Sequence, residues 1–145
     1  MSLDTAHVTM PSGNKKYIVV AIDHFTCWIE VTILTNETSQ SIMNFIEQEI
    51  LMRHGCPKRI QTDGSKSHMS TGINSFFAKF NIVHEVAAPY HPESNGMAER
   101  HIRLLKDRVC HVNKDQGFNF QKNLNFAMSG YCMVPHRDTG LSPFV

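Results

Sequence analysis

Residues 16–33 read KYIVVAIDHFTCWIEVTI, and this stretch decides the fold. Lys16–Asp23 is an apolar, β-branched run of strand length, and Trp28–Ile33 alternates apolar and polar residues as a strand does. The short segment His24–Cys27 between them predicts a hairpin turn. Leu3–Val8, which comes earlier in the chain, is expected to be a partner strand for both. Three sequential strands of this kind predict an antiparallel meander.

Helices and two short strands are predicted after the meander. Apolar residues recur at helical spacing after Thr38, which is expected to cap a helix that ends at Gly55 and Pro57. The pattern then predicts a strand, a helix, a strand and two further helices, over residues 59–62, 72–80, 82–86, 95–111 and 120–133. Sheet topology allows the first and fourth strands to be neighbours at the sheet centre. The order βββαβαβαα therefore predicts an α/β (α+β) fold, with a five-stranded mixed sheet flanked by helices.

Composition and length indicate a single globular domain over residues 1–145. Hydrophobic residues make up 41% of the chain and charged residues 19%, a balance typical of a folded domain rather than a disordered one. No apolar run approaches the roughly 18–20 residues of a membrane span, so no membrane contact is expected. Because the net charge is only +1, any contact with nucleic acid depends on a local basic patch.

The cysteines and histidines give no metal motif. Cys27, Cys56, Cys110 and Cys132 contain no CxxC pair, and the nine histidines contain no HxxxH pair. The sequence therefore lacks the cysteine and histidine spacing of zinc knuckles and of thiol-redox proteins. Single reduced thiols in an intracellular protein are the expected state.

Three carboxylates lie where predicted elements begin or end. Asp4 lies in the first strand, Asp63 follows the fourth, and Glu99 lies near the start of the long helix. Neighbouring first and fourth strands would bring Asp4 close to Asp63, and the helix could cross beside them. Any one acid is more often a solvated or capping residue. The joint pattern is what favours a site.

The sequence around these acids resembles that of an integrase catalytic core. Residues 88–100, APYHPESNGMAER, are similar to the segment that precedes the catalytic glutamate of retroviral and Ty3/gypsy-type integrases. The 35 residues between Asp63 and Glu99 match the spacing of that family's D,D-35-E signature. Further similarities fall, in chain order, on the family's first-aspartate strand, its second-strand hairpin and its C-terminal signature, over residues 3–7, 22–28 and 135–144.

The resemblance implies a ribonuclease-H-like fold and a polynucleotidyl transferase that cleaves DNA ends and joins 3′-hydroxyls to target DNA. It implies Asp4, Asp63 and Glu99 as catalytic residues that hold two Mg²⁺ or Mn²⁺ ions. Hard dications prefer carboxylate oxygens, and two of them can act on the attacking and leaving oxygens of one displacement. Asp23 is the nearest rival to Asp4, but in the family pattern it lies in the hairpin and is structural. Because clustered carboxylates repel one another, Asp63→Asn is expected to stabilise the metal-free protein.

The long helix is predicted to present a face to DNA. Glu99, Arg103 and Lys106 recur at steps of 4 and 3, so a carboxylate and two cations share one face beside an apolar stripe. We expect Arg103 and Lys106, together with Lys66 from the loop after Asp63, to bind DNA phosphates. The alternative is a Glu–Arg surface pair, which contributes only about 0.3–0.5 kcal/mol.

The resemblance also implies partners. Integrases of this type carry a zinc-binding domain before the core and a small β-barrel after it. Asp4 lies near the start, so residues 1–145 are expected to be a core excised from a longer protein. A homodimer is expected through the last two helices, with apolar surface from Phe118, Phe120 and Phe126. DNA is the other expected partner, and the nucleus the expected location.

The loop after Asp63 departs from the family pattern. Residues 63–68 read DGSKSH, so the glycine falls one place early and His68 replaces an aromatic residue. Gly64 would then change which residue adopts a positive φ, and the loop would lose an anchor in the core. These departures favour an alternative, a domesticated and catalytically weak or inactive DNA-binding or dimerisation module of a larger host protein. A ribonuclease H that acts on RNA–DNA hybrids fits the order of motifs less well.

Overall fold

The fold is built on a five-stranded sheet, seen in a computed structural model that describes residues 1–9, 13–87, 100–101, 103–104, 120–136 and 139–144. The strand order is β3-β2-β1-β4-β5, with β1 at the centre. The strands are β1 (Ser2–Thr9), β2 (Lys15–Ile22), β3 (Ile29–Leu34), β4 (Arg59–Thr62) and β5 (Val83–Val86). The predicted mixed five-stranded sheet is confirmed.

The strand pairing agrees with the predicted meander except in one detail. β1 pairs antiparallel with β2, and β2 pairs antiparallel with β3. β4 is parallel to both β1 and β5. The expectation that the first strand partners both hairpin strands is wrong, because β2 lies between β1 and β3. The free side of β1 is instead occupied by β4, as the predicted neighbourhood of the first and fourth strands requires.

Three helices have described bounds. α1 begins as Ser39–Phe45 and continues through a π-helical stretch, Ile46–Leu51, into a last α turn, Met52–His54. The predicted cap is confirmed, since the Thr38 hydroxyl accepts a hydrogen bond from the Ser41 amide at 3.1 Å. The two other helices are α2 (Thr71–Lys79) and α3 (Phe120–Met133).

Only part of the predicted long helix can be described. Arg100, His101, Arg103 and Leu104 are helical, in agreement with the prediction over residues 95–111. The remainder of that helix, including Glu99 and Lys106, lies outside the described residues. None of the helices in the described part of the chain is long and apolar enough to cross a membrane.

Helices cover both faces of the sheet, and β2 is the strand most completely enclosed. One face of β2 packs against α3, and the other packs against α1 and α2. The β2 side chains towards α3 are Ile18, Val20 and Ile22, and those towards α1 and α2 are Val19 and Ala21. The fully apolar run quoted at the outset is therefore a strand buried on two sides.

A buried carboxylate attaches the end of α1 to β3. Glu30 is only 3% exposed. Its Oε1 accepts hydrogen bonds from Trp28 Nε1 at 2.8 Å and His54 Nε2 at 2.6 Å, and its Oε2 accepts one from Arg53 at 2.9 Å. Both oxygens are satisfied, as a buried charge requires. Gly55 follows with a φ of 84°, which ends the helix and turns the chain towards β4.

The side chains predicted to form a dimer surface differ in exposure. Phe120 is 7% exposed and belongs to the core between α3 and the sheet, so its assignment to a dimer surface is wrong. Phe126, on the same helix, is 59% exposed. Phe118 lies outside the described residues.

Within the described residues, the cysteines are thiols, buried at Cys27 and Cys132 and exposed at Cys56.

Candidate active site

The parallel pairing of β1 with β4 places one candidate acid in a central strand and a second directly after the neighbouring strand. Ser2 pairs with Gln61; Asp4 lies two residues after Ser2 in β1, and Asp63 lies two residues after Gln61, immediately after β4 ends at Thr62. Because parallel strands run in the same direction about 4.8 Å apart, equal offsets from this pair lead the chain to corresponding positions at Asp4 and Asp63. Both acids are partly exposed. A pair of carboxylates is therefore presented at the centre of the sheet.

The other predicted site residues are described only in part. Arg103 is helical and exposed, and Lys66 is an exposed residue of the loop after β4. Glu99 and Lys106 lie outside the described residues. Within the described ranges, no group of three or more His, Cys, Asp or Glu side chains is arranged to hold a metal ion. Asp4 and Asp63 are two of the three carboxylates that the sequence predicts.

A buried histidine contacts Asp63 directly. His68 Nδ1 lies 2.5 Å from Asp63 Oδ1, and its Nε2 lies 3.3 Å from Thr5 Oγ1. A carboxylate can only accept, so Nδ1 donates to Asp63. The side chain of His68 is fully buried. The expectation that replacing the aromatic removes the loop's anchor is therefore wrong, because the imidazole fills a core position itself.

The loop that carries His68 is also tied to the start of α1. Ser39 Oγ donates to the Ser67 carbonyl at 2.9 Å, and Ser67 Oγ donates to Glu37 Oε1 at 3.0 Å. Inside the loop, the His68 amide donates to the Ser65 carbonyl at 3.1 Å. These bonds hold the segment between β4 and α2 in one conformation.

The displaced glycine does not use the conformational freedom of glycine. Among the described residues, positive φ angles at glycine occur at Gly13, Gly55 and Gly140, and not at Gly64. A Cβ placed on Gly64 would have the Val86 Cγ1 as its neighbour at 3.9 Å, an ordinary van der Waals distance. The expectation that this glycine changes the positive-φ position beside the site is wrong.

The electrostatic environment favours the ionised form of Asp63. The hydrogen bond from His68 is the largest cause that holds the pKa of Asp63 below its usual value; burial opposes it, and hydrogen bonds from Ser65 add to it. A carboxylate dominated by repulsion from neighbouring acids would have a raised pKa instead. Within the described residues, these contacts reverse the sign expected for Asp63→Asn in the metal-free protein.

The rival acid, Asp23, has the contacts of a turn residue. Its Oδ2 accepts hydrogen bonds from the Thr26 amide at 2.9 Å and the Thr26 hydroxyl at 2.8 Å. Such bonds from an aspartate to the backbone a few residues ahead stabilise tight turns. Asp23 therefore shapes the hairpin between β2 and β3, in agreement with the structural role assigned to it.

Sequence reasoning missed a second layer behind Asp63. His84, on β5, lies with Nε2 2.8 Å from Thr62 Oγ1 and with Nδ1 3.2 Å from Asn74 Oδ1. Burial lowers the pKa of His84, which favours its neutral form. No local pattern marks this histidine, because its partners come from β4 and α2. His68 stands out in the sequence as an unusual residue five positions after an acid, but that position alone does not reveal its hydrogen bond with Asp63.

Comparison with solved structures defines the class of fold. The HTLV-2 integrase catalytic core domain in complex with magnesium, in a trimeric form, superposes with a TM-score of 0.83 at 18% identity, over 99% of this chain and 93% of that one. A chain of the simian T-cell lymphotropic virus intasome superposes with a TM-score of 0.79 at 20% identity, over 90% of this chain and 48% of that one. The fold is ribonuclease-H-like, as the resemblance implied.

Sequence comparison gives the family. The integrase core domain model matches residues 1–92, which include Asp4 and Asp63. The chain is 28% identical to the Gag-Pol polyprotein of avian reticuloendotheliosis virus over 142 residues. The aligned segment covers 98% of this chain but only 12% of that protein. The chain belongs to the integrase core domain family, a family of polynucleotidyl transferases. This membership does not favour the domesticated-module alternative.

Gly64→Ala is expected to be tolerated, in contrast to Gly55→Ala. The methyl group at position 64 has room and needs no unusual φ, so the free energy of unfolding should change by no more than about 0.5 kcal/mol. At position 55 the φ of 84° strains any side chain, and the cost should be about 1–3 kcal/mol. Urea denaturation followed by circular dichroism measures both, and equal losses at the two positions would contradict this account.

Asp63→Asn is expected to destabilise the metal-free protein at pH 7. Because folding lowers the pKa of Asp63, the ionised group stabilises the native state above its unfolded pKa of about 4, and this contribution is lost as pH falls through the lower folded pKa. The difference between parent and variant should therefore be largest near neutrality and disappear in acid. Urea midpoints measured with EDTA across this range provide the test. A variant more stable than the parent at pH 7 would show that repulsion dominates.

Proposed function

We propose that this chain is the catalytic core of an integrase that cleaves DNA ends and joins their 3′-hydroxyls to target DNA in the nucleus. The observation that supports the proposal is the parallel pairing of β1, which contains Asp4, with β4, which ends immediately before Asp63, in a chain of a polynucleotidyl transferase family. The chain spans about a tenth of the length of the polyprotein relative, so the proposal concerns the reaction centre of a longer protein.

The donor set fits divalent metal ions. Asp63 Oδ1 accepts hydrogen bonds from His68 Nδ1 and the Ser65 amide, and the Asp63 side chain is 45% exposed. We propose that Asp4, Asp63 and Glu99 together hold two Mg²⁺ or Mn²⁺ ions, which prefer such oxygens. The bound ions would supply charge stabilisation to the attacking and leaving oxygens of the displacement. The solved HTLV-2 integrase core supports this proposal, since it is in complex with magnesium.

The basic side chains near the site would hold the DNA. Arg103 follows position 99 by four residues and precedes Lys106 by three, a spacing that predicts one shared helix face. Lys66 is exposed on the loop after Asp63. These three cations would bind phosphates and place the scissile bond against the carboxylates. A local patch is sufficient for this role even though the net charge is +1.

Rejoining of a branched DNA substrate in the presence of Mn²⁺ tests the proposal, with Asp63→Asn compared against Asp23→Asn. Loss of a carboxylate that holds metal should lower the rate about 100-fold or more, since charge stabilisation by bound metal is worth several kcal/mol. Glu99→Gln should behave in the same way. Asp23→Asn should retain activity, because its carboxylate contacts the Thr26 turn.

Two results would contradict the catalytic proposal. One is a parent protein that neither nicks nor rejoins the substrate at any Mn²⁺ or Mg²⁺ concentration. The other is an Asp63→Asn variant that is as active as Asp23→Asn.

We also propose that the protein forms a homodimer through α3. Phe126 and Met133 are 59% and 65% exposed, and they lie two helical turns apart on the same face. The Nζ of Lys122 lies 5.9 Å from the centre of the Phe126 ring, so a cation borders this exposed aromatic side chain. A stable interface would need to bury about 1,000 Å² or more, so neighbouring surface must contribute. The trimeric form of the HTLV-2 integrase core supports self-association.

Phe126→Glu is expected to weaken self-association, whereas Phe25→Glu is not. Phe25 is the matched control, since it is 87% exposed and belongs to the hairpin between β2 and β3 rather than to α3. Removing an aromatic anchor from an interface should raise the dissociation constant about 10-fold or more. Sedimentation at tens of micromolar measures the change. A monomeric parent, or equal behaviour of the two variants, would overturn the dimer.

A further inference from the structure

We propose that His68 is a positioning residue for Asp63, an inference that rests on the proposed role of Asp63 as a metal ligand. The imidazole bridges two parts of the site with its two nitrogens. Nδ1 is 2.5 Å from Asp63 Oδ1, and Nε2 is 3.3 Å from Thr5 Oγ1. Since Thr5 directly follows Asp4 on β1, the bridge connects the strand that bears the first acid to the carboxylate of the second.

Two donors converge on one oxygen of Asp63. The Ser65 amide is 3.2 Å from Oδ1, and His68 Nδ1 donates to the same atom. These bonds restrict the rotation of the carboxylate, with His68 Nδ1 and the Ser65 amide on the side of Oδ1. A carboxylate that is already ordered loses less conformational entropy when it binds a cation. The bridge therefore orders the carboxylate and favours cation binding.

The ring itself is held in place from several sides. His68 is 0% exposed, and the adjacent Ser67 is bonded to Ser39 and Glu37 at the start of α1. A surface histidine could rotate away from the carboxylate, but this one cannot do so without losing its contacts in the core. Rigidity of the supporting residue is what allows it to orient a ligand.

Filling space and orienting Asp63 are separable by substitution. His68→Phe keeps a ring in the core but removes both hydrogen bonds. His68→Asn keeps a donor near the position of Nδ1 but removes most of the ring. If His68 only fills space, the phenylalanine variant should resemble the parent more closely. If His68 positions Asp63, the asparagine variant should resemble the parent more closely than the phenylalanine variant does in its affinity for metal.

Titration of the metal-free chain with MnCl₂, with free Mn²⁺ counted by electron paramagnetic resonance, measures the effect without any assay of activity. We expect His68→Phe to weaken Mn²⁺ binding about 10-fold or more, as loss of a supporting hydrogen bond does at metal sites. His68→Asn should recover most of the affinity even though its metal-free melting temperature falls below that of His68→Phe. Asp63→Asn defines the loss of the ligand itself.

Thr5→Val provides a second test that leaves the ring in place. It removes the hydrogen bond to Nε2 with little change in volume, and it should weaken Mn²⁺ binding by a few-fold while the melting temperature of the metal-free protein changes little. Equal Mn²⁺ affinities of the parent, His68→Phe and Thr5→Val would overturn the positioning role alone. A parent that binds no Mn²⁺ would overturn the metal-binding part of the proposed function, and the positioning role with it.

Discussion

The side-by-side pairing of β1 and β4 is the constraint on which the rest of the site depends. β1 is the centre of the sheet, and its register with β2 runs from Ser2–Ile22 to Thr9–Lys15. Because β2 is packed on both faces, that register cannot slip by one residue without moving apolar side chains out of two core layers. The position of Asp4 is thus fixed by the hydrophobic packing of β2, and β4, which pairs with β1, ends immediately before Asp63.

The contacts that hold the Asp63 carboxylate are hydrogen bonds from polar groups of the loop after β4. His68 and the Ser65 amide donate hydrogen bonds to Asp63, and Thr5 contacts the second ring nitrogen of His68. The loop that carries His68 and Ser65 is tied to α1 through serine side chains. The two departures in the loop leave these hydrogen bonds to Asp63 in place. Gly64 has an ordinary backbone conformation, and His68 is as buried as the aromatic residue it replaces would be.

The sequence predicted the strands and helices well because their signals are local. Apolar runs and helical spacing placed β4 at residues 59–62 and α3 at residues 120–133, as observed. The choice of strand partner is not a local property, so the sequence does not show that β2 separates β1 from β3. The same limit explains Phe120 and Phe126, since their spacing does not say which face of α3 meets the sheet. The contact of His68 with Asp63 depends on Thr5, 63 residues away, and no nearby pattern encodes it.

The Glu30 cluster has a consequence for how the domain opens. Its partners Arg53 and His54 form the last turn of α1, immediately before the chain turns at Gly55 towards β4. If that turn unfolded alone, the buried Glu30 carboxylate in β3 would lose its partners Arg53 and His54. A buried charge without partners raises the free energy of the domain. Partial unfolding of this connection is thereby discouraged, and amide hydrogens in β4 should exchange only through opening of much of the domain. Amide hydrogens of β4, the strand that precedes Asp63, should then be among the slowest in the protein to exchange with solvent.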